Sequence, residues 1–321
     1  MLNMKVDLLK GNIFKSLIIF AIPLFISNLF QQLYNTVDIM IVGNFLGDTS
    51  LAAIGACSSI YELLVGFALG IGNGLSIVAA RSYGSNDEKL LKKSVSGSIV
   101  IGIFVTVIIM IISVVFLMPL LRLLNTPSNI IEESYSYIST ITLFVGVMFA
   151  YNLCAGLLRA IGNSFMPLVF LVISSLLNIG LDILFITQFN MGIKGAAVAT
   201  IISQGISVVL CISYIYSKSK ILIPKKKHFA VGKELYRELL GQGLSMGFMM
   251  AIVSTGTVIL QSAINGLGYL TIAGHTAARK LNSFCIMPIV AVAHSVSTFV
   301  SQNKGADQGD RIRKSVYYSN L

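Results

Sequence analysis

Six long stretches of this chain carry no charged residue at all, Ser16–Val37, Ser94–Leu121, Ser134–Leu158, Ala160–Leu181, Gly195–Ser217 and Leu239–Ala278, and a seventh, Leu281–Ala306, carries only Lys304 near its end. Crossing a hydrocarbon core as an α-helix takes about 20 apolar residues. Most of these stretches therefore fit one span each. Leu239–Ala278 is long enough for most of two, and Asn265-Gly266-Leu267-Gly268 breaks it. Thr49–Ala80, interrupted only by Glu62, brings the expected number of spans to eight. Inside a bilayer every backbone N–H and C=O must be satisfied within its own segment, so these spans are read as helices. The expected fold class is all-α and polytopic. Only 11% of the 321 residues are charged and the mean hydropathy is +0.84, against roughly 25% charged residues in a soluble domain. Met1–Ser16 is polar and the first apolar stretch has full span length, which argues against a cleaved signal peptide.

Basic residues orient the spans. Of 23 Lys and Arg, 19 fall before span 1 or in the segments after spans 2, 4, 6 and 8; the alternate loops hold Arg122 and Lys194, and Arg279-Lys280 lie inside span 8. Positive loops stay in the cytoplasm. The amino terminus is thus expected to be cytoplasmic, in a multi-pass protein of the plasma membrane. The formal charge of +10 is spread over the loops of one side, as topology requires, so it does not indicate nucleic acid. Cys57, Cys154, Cys211 and Cys285 lie in apolar spans at unrelated spacings and read as small core residues.

One polar tract, Ser217–Arg237, divides the chain, and the stretch after it resembles the opening of the chain. At an ungapped offset of 221 residues, Leu46-Gly47 meets Leu267-Gly268 and Ser50-Leu51-Ala52 meets Thr271-Ile272-Ala273. Gly84 likewise meets Gly305, and Lys92-Lys93-Ser94-Val95 meets Arg313-Lys314-Ser315-Val316. This is an internal repeat. It predicts a six-helix amino-terminal lobe over residues 1–217, a basic cytoplasmic linker over 218–237, and the first two helices of a pseudo-symmetric second lobe over 238–321. Completing the second unit would take roughly another 120–130 residues by comparison with the first, so the chain is expected to be a fragment or a truncated product.

Carboxylates in hydrocarbon are costly and mark function by default. Asp38 ends span 1, Asp182 lies in span 5 with Asn178 one turn before it, and Glu62 lies in span 2. Asn178 and Asp182 are i and i+4 and share a helix face, as do Ala196 and Thr200 in the next span. A hard cation such as Na+ takes carboxylate, amide, hydroxyl and backbone carbonyl oxygens. Two carboxylates brought together could instead share a proton. The plainer alternative is that these groups only hydrogen-bond helices to one another. Gly70, Gly72 and Gly74 sit inside a span and suit close helix packing rather than phosphate binding, and His228, His275 and His294 are too scattered for a metal site. Arg279-Lys280 could meet an anionic substrate or headgroup in a cavity, or pair locally and snorkel. No set of residues supports catalysis, so no enzyme and no cofactor is expected.

The chain resembles the MATE (multidrug and toxic compound extrusion) transporters. The resemblance rests on Pro23 followed by Asn28-Leu29-Phe30-Gln31-Gln32-Leu33-Tyr34-Asn35-Thr36-Val37-Asp38, and on Val42-Gly43-Asn44-Phe45-Leu46-Gly47. Ala80-Arg81-Ser82-Tyr83-Gly84, Leu157-Leu158-Arg159-Ala160-Ile161-Gly162-Asn163-Ser164 and Asn178-Ile179-Gly180-Leu181-Asp182 add to it, with Gly192-Ile193-Lys194-Gly195-Ala196-Ala197. It implies two six-helix lobes around a central cavity, exchanging an amphipathic, cationic drug or metabolite for Na+ or H+. It also implies a cation site of Asp38, Asn178, Asp182, the Ala196 carbonyl and Thr200. Gln31, Tyr34, Glu62 and Arg279 are candidate cavity residues and Pro23 a hinge in span 1. The counterpart of Asp38 in the repeat is Ile259, and no acid occurs between Glu238 and Asp307, as in the branch resembling DinF-type and MepA-type members. The expected partners are the lipid bilayer and a small substrate, with no nucleic acid, and the full-length protein is expected to be monomeric. The alternatives are a lipid-linked saccharide flippase of the same superfamily, which would need cations in the cavity, and a remnant that does not transport.

Overall fold

The computed structural model describes residues 5–265 and 269–319. The break predicted at Asn265–Gly268 therefore lies largely outside the described residues, and so does the side chain of Lys280. The chain is a polytopic α-helical membrane protein. Its helices are α1 (Ile13–Leu46), α2 (Asp48–Gly84), α3 (Glu88–Leu123), α4 (Ile131–Leu143), α5 (Val145–Ala160), α6 (Phe165–Ile183), α7 (Ile193–Lys218), α8 (Lys233–Asn265), α9 (Tyr269–Gly305) and α10 (Gly309–Ser319). Among the described residues seven helices are long and apolar enough to cross a membrane, or eight if α4 and α5 count as one span bent by 47°. That bent pair is the span predicted over Ser134–Leu158, interrupted at Phe144.

Local chemistry sets the boundaries. Asn12 caps α1 by accepting the Lys15 N–H at 3.0 Å, and Asp87 caps α3 by accepting that of Leu90 at 2.9 Å. A single residue, Gly47, joins α1 to α2; its φ of 86° is in the region that favours glycine. Large apolar side chains of α3 such as Phe104, Val114 and Phe116 point outward and are exposed. In water such a surface would aggregate, whereas here it faces acyl chains.

The repeat is visible as geometry. α9 begins and ends 221 residues after α2, and α10 begins 221 residues after α3. α2 is the central element, packed on α3 and α5 of its own lobe and on α8 and α9 of the second. Where α2 crosses α9, a Cβ on Gly84 would lie 1.9 Å from the Gln302 carbonyl oxygen, and one on Gly305 would lie 2.0 Å from that of Arg81. Gln302 is the counterpart of Arg81 at the same offset, so the contact is reciprocal about a pseudo-two-fold axis. Gly70 and Gly74 likewise let α2 approach the backbone of α8, where a Cβ would lie 2.7 and 2.3 Å from the Met246 and Gln242 carbonyl oxygens. These are the glycines whose spacing predicts helix packing.

Two segments outside the spans cross between lobes. Residues 5–12 run along the end of the bundle, where Val6 N–H donates to the Gly162 carbonyl and Leu8 is fully buried. Asn303 of α9 and Arg311 of α10 both donate to the Leu8 carbonyl, at 3.1 and 3.2 Å. The linker between α7 and α8 packs on α3 through two short 3-10 turns, Lys220–Leu222 and Lys226–Phe229, with Leu222 and His228 buried. His228 Nδ1 accepts the Lys225 N–H at 2.9 Å. Removal from water, and then the neighbouring Lys227, Lys92 and Lys225, hold its imidazole below the ordinary histidine range despite the nearby Glu88.

Candidate functional site

Three helices of the first lobe carry the cluster predicted from spacing. Asp38 lies on α1, Asn178 and Asp182 on α6, and Ala196 and Thr200 on α7; all five are buried, Asp182 completely. α6 packs against both α1 and α7, which brings the helices' polar faces together. The Asn178 amide fits with its nitrogen donating to Asp182 Oδ2 at 3.0 Å and its oxygen accepting from the Thr200 backbone N–H at 3.3 Å. The Asp38 and Asp182 carboxyl groups lie next to each other where α1 packs on α6. One oxygen of each, Oδ1 in both cases, is shielded and has no hydrogen-bond partner.

Two carboxylates that share a buried site need a proton or a metal cation between them. Orphaned buried oxygens are rare because each forfeits its hydration. The donor set is all oxygen, with neutral amide and hydroxyl groups beside the two carboxylates. That chemistry fits Na+ or a proton better than a soft metal, and among the described residues no group of three His, Cys, Asp or Glu could hold a metal ion.

The other candidates separate. Tyr34 is half-buried one turn before Asp38. Gln31 and Glu62 are exposed, so the structure does not bring them into the cluster. Arg279 is exposed on α9. Pro23 is buried inside α1, and Ser27 Oγ donates to its carbonyl at 2.8 Å. Proline removes one ladder bond from α1 at this point. Two residues not anticipated from sequence stand near Asp38: Tyr61 of α2 and Tyr137 of α4. Nothing in local spacing links them to Asp38; only the packing of α2 against α1 and α4 does. Arg159 also departs from expectation. Sequence alone assigned it to a basic loop, but it sits in the last turn of α5 and lines a cavity between the lobes.

The pattern that defines the MatE family matches residues 23–184 and 246–321, about three quarters of the chain. The chain belongs to the MatE family. Among curated proteins this MatE chain is 30% identical over 312 residues to the Bacillus subtilis protein named "Probable multidrug resistance protein YoeA", covering 95% of this chain and 67% of that one. It is 25% identical over 302 residues to the multidrug export protein MepA of Staphylococcus saprophyticus, covering 93% and 66%. The fold matches, with a TM-score of 0.91 and 25% identity, a solved outward-facing multidrug resistance MATE transporter of the MOP superfamily, over 99% of this chain and 71% of that one. The chain thus spans about two thirds of the length of the curated relatives.

Proposed function

We propose that this MatE chain carries the coupling site of a secondary active exporter, which moves an amphipathic substrate out across the plasma membrane in exchange for Na+ or H+. The observation that carries the reading is the buried Asp38–Asp182 pair with one unsatisfied oxygen on each carboxyl group. A cation entering between them supplies the missing positive charge and ties α1 to α6. Its departure, or its replacement by a proton, leaves a different balance of repulsion and hydrogen bonding. Because α1 lacks a ladder bond at Pro23, it is the element best able to bend in response. Support for an outward-opening cleft comes from the contacts that close the other end: the Gly84–Gly305 crossing, the Arg81–Glu238 ion pair at 2.5 Å, and Gln302 donating to the Ala160 carbonyl at 2.7 Å. The end they close bears the basic loops, which the positive-inside rule puts in the cytoplasm.

The test uses the purified chain and cells that express it. Na+ at about 100 times its dissociation constant should stabilise the wild type by about 2.7 kcal/mol, read as a rise in unfolding temperature. A pH dye in weak buffer reports whether protons leave as Na+ enters. Asp38→Asn and Asp182→Asn should each abolish the Na+ response and any energy-dependent efflux of ethidium. An Asp38→Asn protein with the wild-type Na+ response, proton release and efflux would sink the assignment.

A further inference from the structure

A second polar site lies where the lobes meet. Asn73 and Ser76 of α2, Arg159 of α5, and His294, Ser297 and Thr298 of α9 wall a cavity near the α2–α9 crossing. Asn73 and His294 are counterparts at the 221-residue offset, and so are Ser76 and Ser297. The cavity therefore straddles the pseudo-two-fold axis. Arg159 stands outside that symmetry, because it comes from α5 alone. Its guanidinium folds back along α5, to 3.9 Å from where a Cβ on Gly156 would be, and so points a turn deeper into the bundle than its own backbone.

Arg159 is partly buried and makes no hydrogen bond or ion pair with any described residue. A guanidinium has five donors and no acceptor, and leaving it unpaired away from water is expensive. No carboxylate lines the cavity, and the acid on the adjoining stretch of α8, Glu238, is already engaged by Arg81. Ser76 and Thr298 donate their hydroxyl protons to the Asn73 and His294 carbonyls, so the donors left beside Arg159 are the Asn73 amide, the Ser297 hydroxyl and the His294 imidazole. Gln302 and the Arg81–Glu238 pair close the side toward the basic loops, so a ligand would enter from the cleft between the lobes.

We propose that this axial cavity binds a phosphate-class oxyanion, with Arg159 as its forked donor and the Asn73, Ser297 and His294 side chains completing the shell. The oxyanion arrives either on a soluble solute or as a phospholipid headgroup reaching the cleft from the bilayer. The inference concerns this cavity and is independent of the cation site at Asp38.

Two probes distinguish the sources. Inorganic phosphate is titrated into the purified chain in a neutral detergent by calorimetry, and phosphatidylglycerol is added at increasing ratios with bound lipid counted by native mass spectrometry. Saturable binding in the phosphate arm marks a soluble ligand; binding confined to phosphatidylglycerol marks a headgroup. In whichever arm binds, Arg159→Gln should weaken the interaction about ten- to a hundredfold, while Arg159→Lys should retain part of it. Asn73→Asp places a carboxylate in the cavity beside Arg159 and should abolish binding without loss of thermal stability, which keeps the test decisive if Arg159→Gln fails to fold. Absence of saturable binding in both arms would overturn the proposal. So would wild-type affinity in Arg159→Gln or in Asn73→Asp.

Discussion

Asp182 has no exposed surface and one carboxylate oxygen to which nothing donates. Asn178 compensates for the other, which makes the amide the most consequential neutral group in the cluster. Replacing it as Asn178→Ala should leave Asp182 Oδ2 without its 3.0 Å donor and weaken Na+ binding about tenfold, as loss of a hydrogen bond to a charged group implies; a Na+ titration of unfolding temperature checks this. Glu62→Gln should change nothing in the same titration, because Glu62 is exposed and outside the cluster. Asn178, Asp182, Ala196 and Thr200 were legible in the sequence because helical periodicity puts i and i+4 on one face. Asp38 was legible because a carboxylate at the end of an apolar span is costly. Tyr61 and Tyr137 were not, since they reach Asp38 through the packing of separate helices. Arg159 was misread for a simpler reason: a basic residue at a span border looks like a loop residue until its side chain is seen to turn inward.

Helix pairs in this molecule divide into those that touch through side chains and those that touch through backbone. The second kind depends on glycine. Gly84→Ala or Gly305→Ala would drive a methyl group to about 2 Å from a carbonyl oxygen of the facing helix, so α2 and α9 must separate. Overpacking of this kind costs about 1–3 kcal/mol. The expected result is a lower unfolding temperature together with new labelling at Gln302→Cys. Gly55→Ala and Gly66→Ala meet nothing within 4 Å and should stabilise by about 0.5–1 kcal/mol, the helix-propensity difference alone. Gly70 and Gly74 could be read as packing residues from their spacing, but the sequence did not tell which partner each one admits, and Gly84 was legible only as the repeat counterpart of Gly305. Nor did it foretell the bend at Phe144, because the one nearby glycine, Gly146, lies already in the first turn of α5 and glycines are frequent in these spans.

At the scale of the whole molecule, orientation and linker docking are both open to measurement. Single cysteines in a background freed of Cys57, Cys154, Cys211 and Cys285 should label from outside intact cells at Asn125 or Asn190 and only after permeabilisation at Lys226. The linker should also respond to pH. The folded state holds His228 below its ordinary value near 6.5, so the unfolded linker binds more protons. Its docking is then fully present above that value and is lost as pH falls through the lowered folded value. Hydrogen exchange over residues 219–232, corrected for its intrinsic pH dependence, should rise on acidification in the wild type, and His228→Ala should remove the dependence. The recurrence of α2 and α3 as α9 and α10 was legible because a duplicated sequence repeats its loops as well as its spans. The contact that joins the lobes was not, because each side of it makes sense only beside the other.

The segment that precedes the first repeat lies on α9 and α10, which belong to the second; the segment that precedes the second repeat lies on α3, which belongs to the first. Each half thus holds the leading arm of the other, as the subunits of an arm-exchanged dimer do. Seen this way, residues 218–237 are a covalent bridge between two interlocked pieces rather than a tether that keeps them near each other. A protease cut within the bridge should leave both pieces travelling together through a sizing column.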